Sequence, residues 1–165
     1  MLTKRQKNEQ YLSMFTFFFG LLILMTLFIP SLKIGTYTFM GLDIVFGTTI
    51  YRADDLISLP FSWFNFFAYF LPIFAGVFLV LFDRFLYHES KVKLFVSVLP
   101  SFLYIAGLVL LFMIPSTTVL IENTVGLPLE ASFYVGPFFA LGFMIAGSIT
   151  SLLYFWQEGK IHRLL

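Results

Sequence analysis

FYVGPFFALGFMIAGSITSLLYFW, residues 133–156, runs from Phe133 to Trp156 without an Asp, Glu, Lys, Arg or His. At about 1.5 Å rise per residue, a helix of that length crosses the roughly 30 Å hydrocarbon core of a bilayer. Three further stretches share this character: Leu12–Ile29, Phe61–Phe82 and Leu94–Ile114. The first is only just long enough. The pattern predicts an all-α integral membrane protein, a four-transmembrane-helix bundle filling residues 1–165 as a single membrane domain. A small extracellular β-rich layer is expected from the segments between the helices, about 30–60 and 115–132.

Composition agrees. The chain is 59% hydrophobic and 12% charged, against about 25% charged in a soluble domain. A net charge of +1, with no basic run interleaved with aromatics, gives no sign of nucleic acid as a partner. Cysteine is absent, which excludes disulfides and thiolate metal sites. The first apolar stretch follows Lys4, Arg5 and Lys7 but has no small-x-small cleavage site after it. It therefore reads as a retained span rather than a signal peptide.

The flanks set an orientation. Lys4, Arg5, Lys7, Arg84, Lys91, Lys93, Lys160 and Arg163 fall on one side, and only Lys33 and Arg52 on the other. Such a bias over short loops predicts that both termini are cytoplasmic in a plasma membrane. Tyr11, Tyr87, Tyr154 and Trp156 mark the inner interface, Trp63 and Tyr134 the outer one.

In the first outer segment, Lys33–Met40 and Leu42–Phe46 read as two strands joined around Gly41, and Thr117–Ile121 as a third from the second segment. The words Ile29-Pro30-Ser31 and Ile114-Pro115-Ser116, with Ile73-Phe74-Ala75-Gly76 and Met144-Ile145-Ala146-Gly147, suggest a duplicated hairpin. In the fourth span Gly136 and Ala140, Gly142 and Ala146, and Gly147 and Ser151 are each four apart, a spacing that thins a helix for close packing and here suits internal contacts. Pro72 and Pro100 each remove one helical hydrogen bond and suit fixed kinks.

Few side chains are placed for chemistry. Asn65, Tyr69 and Tyr104 are the notable polar residues inside the spans; mutual hydrogen bonding of the tyrosines, or a buried water, would satisfy their phenols. They suit helix–helix contact, with a polar step in a permeation path as the alternative. Asp54 and Asp55 suit a solvated turn or cap, with metal binding or partner recognition as alternatives. His88 and His162 belong to no metal-ligand spacing, no serine lies in Gly-x-Ser-x-Gly, and no phosphate-binding loop is present. No residue is assigned a catalytic, cofactor-binding or metal-ligating role, and the chain does not read as an enzyme.

The Phe28-Ile29-Pro30-Ser31-Leu32 exit from the first span and the segment Gly41-Leu42-Asp43-Ile44-Val45-Phe46-Gly47 resemble a loose family of small four-span membrane proteins of low-GC Gram-positive bacteria. That resemblance implies a plasma-membrane location and a four-span fold, and supplies no catalytic residue. The layout is also similar to that of claudins, without their Trp and paired Cys signature. The expected function is a non-catalytic accessory, scaffold or assembly subunit of a larger membrane complex, with the bilayer and a larger membrane protein as partners and homo-oligomers allowed. The alternative is a component of a small-molecule or ion transporter or channel.

The orientation is directly testable. A cysteine replacing Thr48 is expected to react with an impermeant maleimide in intact cells, and one replacing Glu89 only after permeabilisation; the reverse labelling would overturn the side assignment.

Overall fold

The computed structural model describes residues 4–35, 37–52, 55–85, 91–118, 120–122, 125–127 and 131–162. Four long helices cross the membrane: α1 (Lys4–Met25, continued by a 3-10 turn over Thr26–Phe28), α3 (Trp63–Phe85), α4 (Lys91–Thr117) and α5 (Val135–His162). Each contains a stretch long and apolar enough to span a bilayer. They pack as a ring in the order α1, α3, α4, α5 and back to α1, with little contact across the diagonals.

Each helix buries one seam. On α1 it runs Glu9, Ser13, Thr16, Gly20, Ile23, Leu27; on α3 Asn65, Ala68, Tyr69, Pro72, Ala75, Gly76, Leu79; on α4 Ser97, Ser101, Tyr104, Gly107, Leu111, Ile114; on α5 Gly136, Ala140, Met144, Gly147, Ser151, Tyr154, Glu158. The alternating three- and four-residue steps are those of helices packed at a shallow left-handed crossing. The opposite faces are covered with Phe, Leu, Ile and Met that meet lipid, Phe18, Phe74, Phe102 and Phe138 among them.

Glycines set the approach. A Cβ on Gly20 would lie 2.9 Å from Ile73 Cα and Pro72 O, and one on Gly76 would lie 2.5 Å from Phe17 Cα, so α1 and α3 meet backbone to backbone. Gly107 brings α4 against the Pro72 ring and the Ala68 carbonyl, the carbonyl that proline leaves without a helical donor. The three spaced pairs of α5 divide. Gly136 and Ala140, and Gly147 and Ser151, face inward, whereas Gly142 points outward with nothing within 4 Å of a Cβ there. Gly76 and Gly147 each receive the preceding helix of their own hairpin, through Phe17 and Tyr104. The prolines of the repeated words differ: Pro30 opens a strand, while Pro115 stays inside α4.

Above one end of the bundle lies a β-layer of two antiparallel sheets. Sheet A has the order β2 (Tyr37–Met40), β1 (Pro30–Ile34), β7 (Ala131–Phe133); sheet B has β3 (Thr48–Arg52), β4 (Asp55–Leu59), β5 (Leu120–Glu122), β6 (Val125–Leu127). Each sheet draws strands from both inter-helix segments. Leu32 pairs with Phe133 across β1 and β7, and Ile57 with Glu122 across β4 and β5. Neither segment forms its sheets alone.

Three strand expectations change. Lys33–Met40 is not one strand but a hairpin of β1 and β2, because Gly35 takes a φ of 57° in the turn between them. Leu42–Phe46 is not a strand but lies in a short helix, α2 (Gly41–Phe46). Asp43 Oδ2 accepts the Met40 N–H at 2.9 Å, Gly47 ends the helix at a φ of 84°, and Gly41, Ile44 and Val45 are buried at helical spacing. Thr117 closes α4, and β5 begins only at Leu120, because the Thr118 N–H still bonds back to Ile114 O at 3.0 Å.

The glycine contacts predict a contrast. Gly76→Leu should cost roughly 1–3 kcal/mol or more in a reversible detergent unfolding assay, through overpacking against the α1 backbone. Gly142→Leu should cost nothing, and should gain up to about 1 kcal/mol from helix propensity. Equal costs would show that α1 and α3 do not approach as described.

Candidate functional site

Polarity in the bundle interior is graded. At the end holding the chain termini, three seams carry hydroxyls and acids: Glu9, Ser13 and Thr16 on α1; Ser97 and Ser101 on α4; Ser151, Tyr154 and Glu158 on α5, all buried. Two hydroxyl pairs tie helices together here. Thr16 Oγ1 bonds to Thr150 Oγ1 at 3.0 Å and Ser101 Oγ to Ser151 Oγ at 2.9 Å. Thr16 also reaches Leu12 O at 2.9 Å, and Ser13 reaches Gln10 O at 3.0 Å. Beyond these, toward the β-layer, the seams of α1, α4 and α5 turn to Ile23, Leu27, Leu111, Ile114, Ala140 and Met144.

Tyr104 stands at the change. Its ring lies against Gly147, where a Cβ would come within 2.1 Å of Cε1. Its hydroxyl donates to Thr16 O at 2.5 Å, crossing the ring diagonal from α4 to α1. Tyr69 is equally buried, but its hydroxyl makes no hydrogen bond within the described residues and has the Ser31 side chain as its polar neighbour. The two phenols are not bonded to each other. Tyr104 finds a backbone carbonyl instead, and Tyr69 points toward the strand that follows α1.

A second polar group sits at the β-layer end. Asn65, 0% exposed, donates through Nδ2 to Ile44 O at 2.9 Å and to Thr118 Oγ1 at 3.1 Å. Its Oδ1 accepts from Thr117 Oγ1 at 2.8 Å. One amide thereby joins α2, α3 and the end of α4. Beside it opens a cavity of about 290 Å³ whose polar wall is Ser62, Asn65, Thr117 and Thr118, with Ile44, Phe61 and Trp63 among its apolar lining. Ser62 caps α3: its Oγ accepts the Asn65 N–H at 3.3 Å, and its carbonyl accepts the Phe66 N–H at 2.9 Å.

Asp54 and His88 lie outside the described residues, Asp55 contributes its backbone to β4 opposite Arg52, and His162 ends α5. Among the described residues no group of three His, Asp or Glu is placed to hold a metal ion. Glu9 and Glu158 are buried as well, although, as acids flanking the first and fourth apolar runs, they are singled out by nothing in composition. Their helical spacing from Ser13 and Thr16, and from Ser151 and Tyr154, is the signal that would have placed them on the inner seams.

Comparison with known protein families, curated proteins and solved structures gives no match. The geometry alone defines a multi-pass membrane protein with a closed, internally hydrogen-bonded bundle.

Tyr104→Phe should cost about 0.5–2 kcal/mol in a reversible unfolding assay, the scale of polar contacts in membranes. Tyr69→Phe, losing no hydrogen bond, should cost less than Tyr104→Phe. The double variant should match the sum within roughly 0.5 kcal/mol, because the two do not share a bond; a clear shortfall would mean that they do.

Proposed function

We propose that this protein is a non-catalytic accessory or assembly subunit that packs through its membrane face against a larger membrane protein. The observation that carries this reading is Gly142. Glycine in a helix interior costs about 1 kcal/mol relative to alanine. Gly20, Gly76, Gly107, Gly136 and Gly147 offset that cost by admitting a neighbouring backbone, ring or hydroxyl. Gly142 admits nothing among the described residues, and lies between outward Phe138, Phe139, Ile145 and Ile149. A notch between large side chains suits an incoming helix, because packing rather than apolarity drives association in lipid. The bias of basic residues supports a plasma membrane with cytoplasmic termini as its setting.

A transport component is the second reading, favoured by the buried hydroxyls and acids at the terminal end. Against it, the described seams of α1, α4 and α5 turn mainly to aliphatic packing beyond Tyr104.

A tagged copy purified in mild detergent from its native host should retain a larger membrane protein at near-stoichiometric yield, and Gly142→Leu should reduce that yield several-fold at an unchanged level of folded subunit. Recovery of only a monomer or a closed homo-oligomer across several detergents would sink the proposal.

A further inference from the structure

The cavity beside Asn65 plays no part in the bundle's internal closure or in the Gly142 face. We propose that it binds the neutral, hydroxyl-bearing headgroup of a membrane lipid of the acylglycerol class, with the acyl chain lying along the lipid-facing side of α3.

The chemistry of the wall selects the headgroup. Both Nδ2 protons of Asn65 are engaged, by Ile44 O and Thr118 Oγ1, and the Thr118 hydroxyl proton is engaged by Ile114 O at 2.8 Å. What the wall still offers is acceptor capacity on Asn65 Oδ1 and the threonine oxygens, together with the Ser62 hydroxyl proton, which no hydrogen bond among the described residues uses. A glycerol hydroxyl complements both, donating to the amide and threonine oxygens and accepting from Ser62. A phosphate does not, since none of the described lining residues is charged and an anion facing acceptor oxygens in a largely apolar site is strongly penalised. Asn65 is fully buried and fixed by three bonds, so the wall is preorganised rather than assembled by the ligand.

Size and position select the lipid. At about 290 Å³ the cavity lies just under the roughly 300–1,000 Å³ of sites for drug-sized ligands, enough for a headgroup and not for a whole lipid. Its lining residue Trp63 is 65% exposed, at the end of a span, where amphipathic rings sit at the headgroup level. One turn further into the membrane, Phe67 stacks on Trp63 with ring centroids 6.1 Å apart, and Phe74 continues the exposed apolar side of the helix. The head enters between α3 and α4 while the chain stays in the bilayer.

The test uses the full chain carrying Trp156→Phe, which leaves Trp63 as its only tryptophan, in phosphatidylcholine nanodiscs. Monooleoylglycerol should change Trp63 emission along a saturable one-site curve. Oleoyl lysophosphatidylcholine and oleoyl lysophosphatidic acid, with the same chain and other heads, should give no saturable change. Ser62→Ala should weaken binding about three- to tenfold by removing one hydrogen bond, and Ser62→Leu, which fills the cavity, should abolish it. A response that never saturates, an equal or stronger response to either lysophospholipid, or an affinity unchanged in Ser62→Ala would overturn the proposal; the alanine variant decides the matter even if the leucine variant does not fold.

Discussion

Helices in lipid gain nothing by hiding apolar side chains from one another, so contact between them must come from shape and hydrogen bonds. In this protein that requirement is met at one level of the membrane. Gly20 lets α1 touch the α3 backbone at Pro72, Gly107 lets α4 touch the other side of the same proline, and Gly147 lets α5 accommodate the Tyr104 ring. The Tyr104 hydroxyl then reaches Thr16 O across the diagonal. All four helices are joined within about a turn of each other. Above and below this waist the interior takes opposite characters, and the rest of the architecture follows from that division.

Toward the chain termini the seams carry hydroxyls and acids, and two hydroxyl pairs there, Thr16 with Thr150 and Ser101 with Ser151, bond between helices. Toward the other end the seams of α1, α4 and α5 are aliphatic apart from the buried Thr26, whereas α3 carries Asn65 and Tyr69, whose polar neighbours lie in α2, at the end of α4 and in β1. That layer is not an appendage. β1 follows α1 almost directly and pairs with β7, which leads into α5; β4 pairs with β5, which follows α4. Asn65 fastens the α2 carbonyl at Ile44 to the α4 terminus. Bundle and layer are therefore joined at both sheets, and the cavity beside Asn65 lies where they meet.

The spans were legible because length and the absence of charge report bilayer crossing without reference to packing. The strands were less so. Leu42–Phe46 has the composition of a strand, and only the Asp43 bond to Met40 and the stop at Gly47 turn it into a helix. Pairing of β1 with β7 joins residues about a hundred positions apart, which local pattern does not encode. The polar candidates Asn65, Tyr69 and Tyr104 were visible as isolated polar residues in apolar runs, but their partners are backbone carbonyls and threonines, which composition does not distinguish. Glu9 and Glu158 were hidden differently. They flank the apolar runs, and only their spacing along the buried seams carries the structural meaning.

The central claim is that Pro72 is clasped between α1 and α4. Magic-angle-spinning NMR of the full chain in lipid bilayers, with carbon-13 in glycine and proline, reads this contact without any substitution. The account predicts a through-space cross-peak between the Gly107 α-carbon and the Pro72 ring carbons. Absence of that peak, in spectra where the sequential Gly136–Pro137 peak is strong, would contradict it.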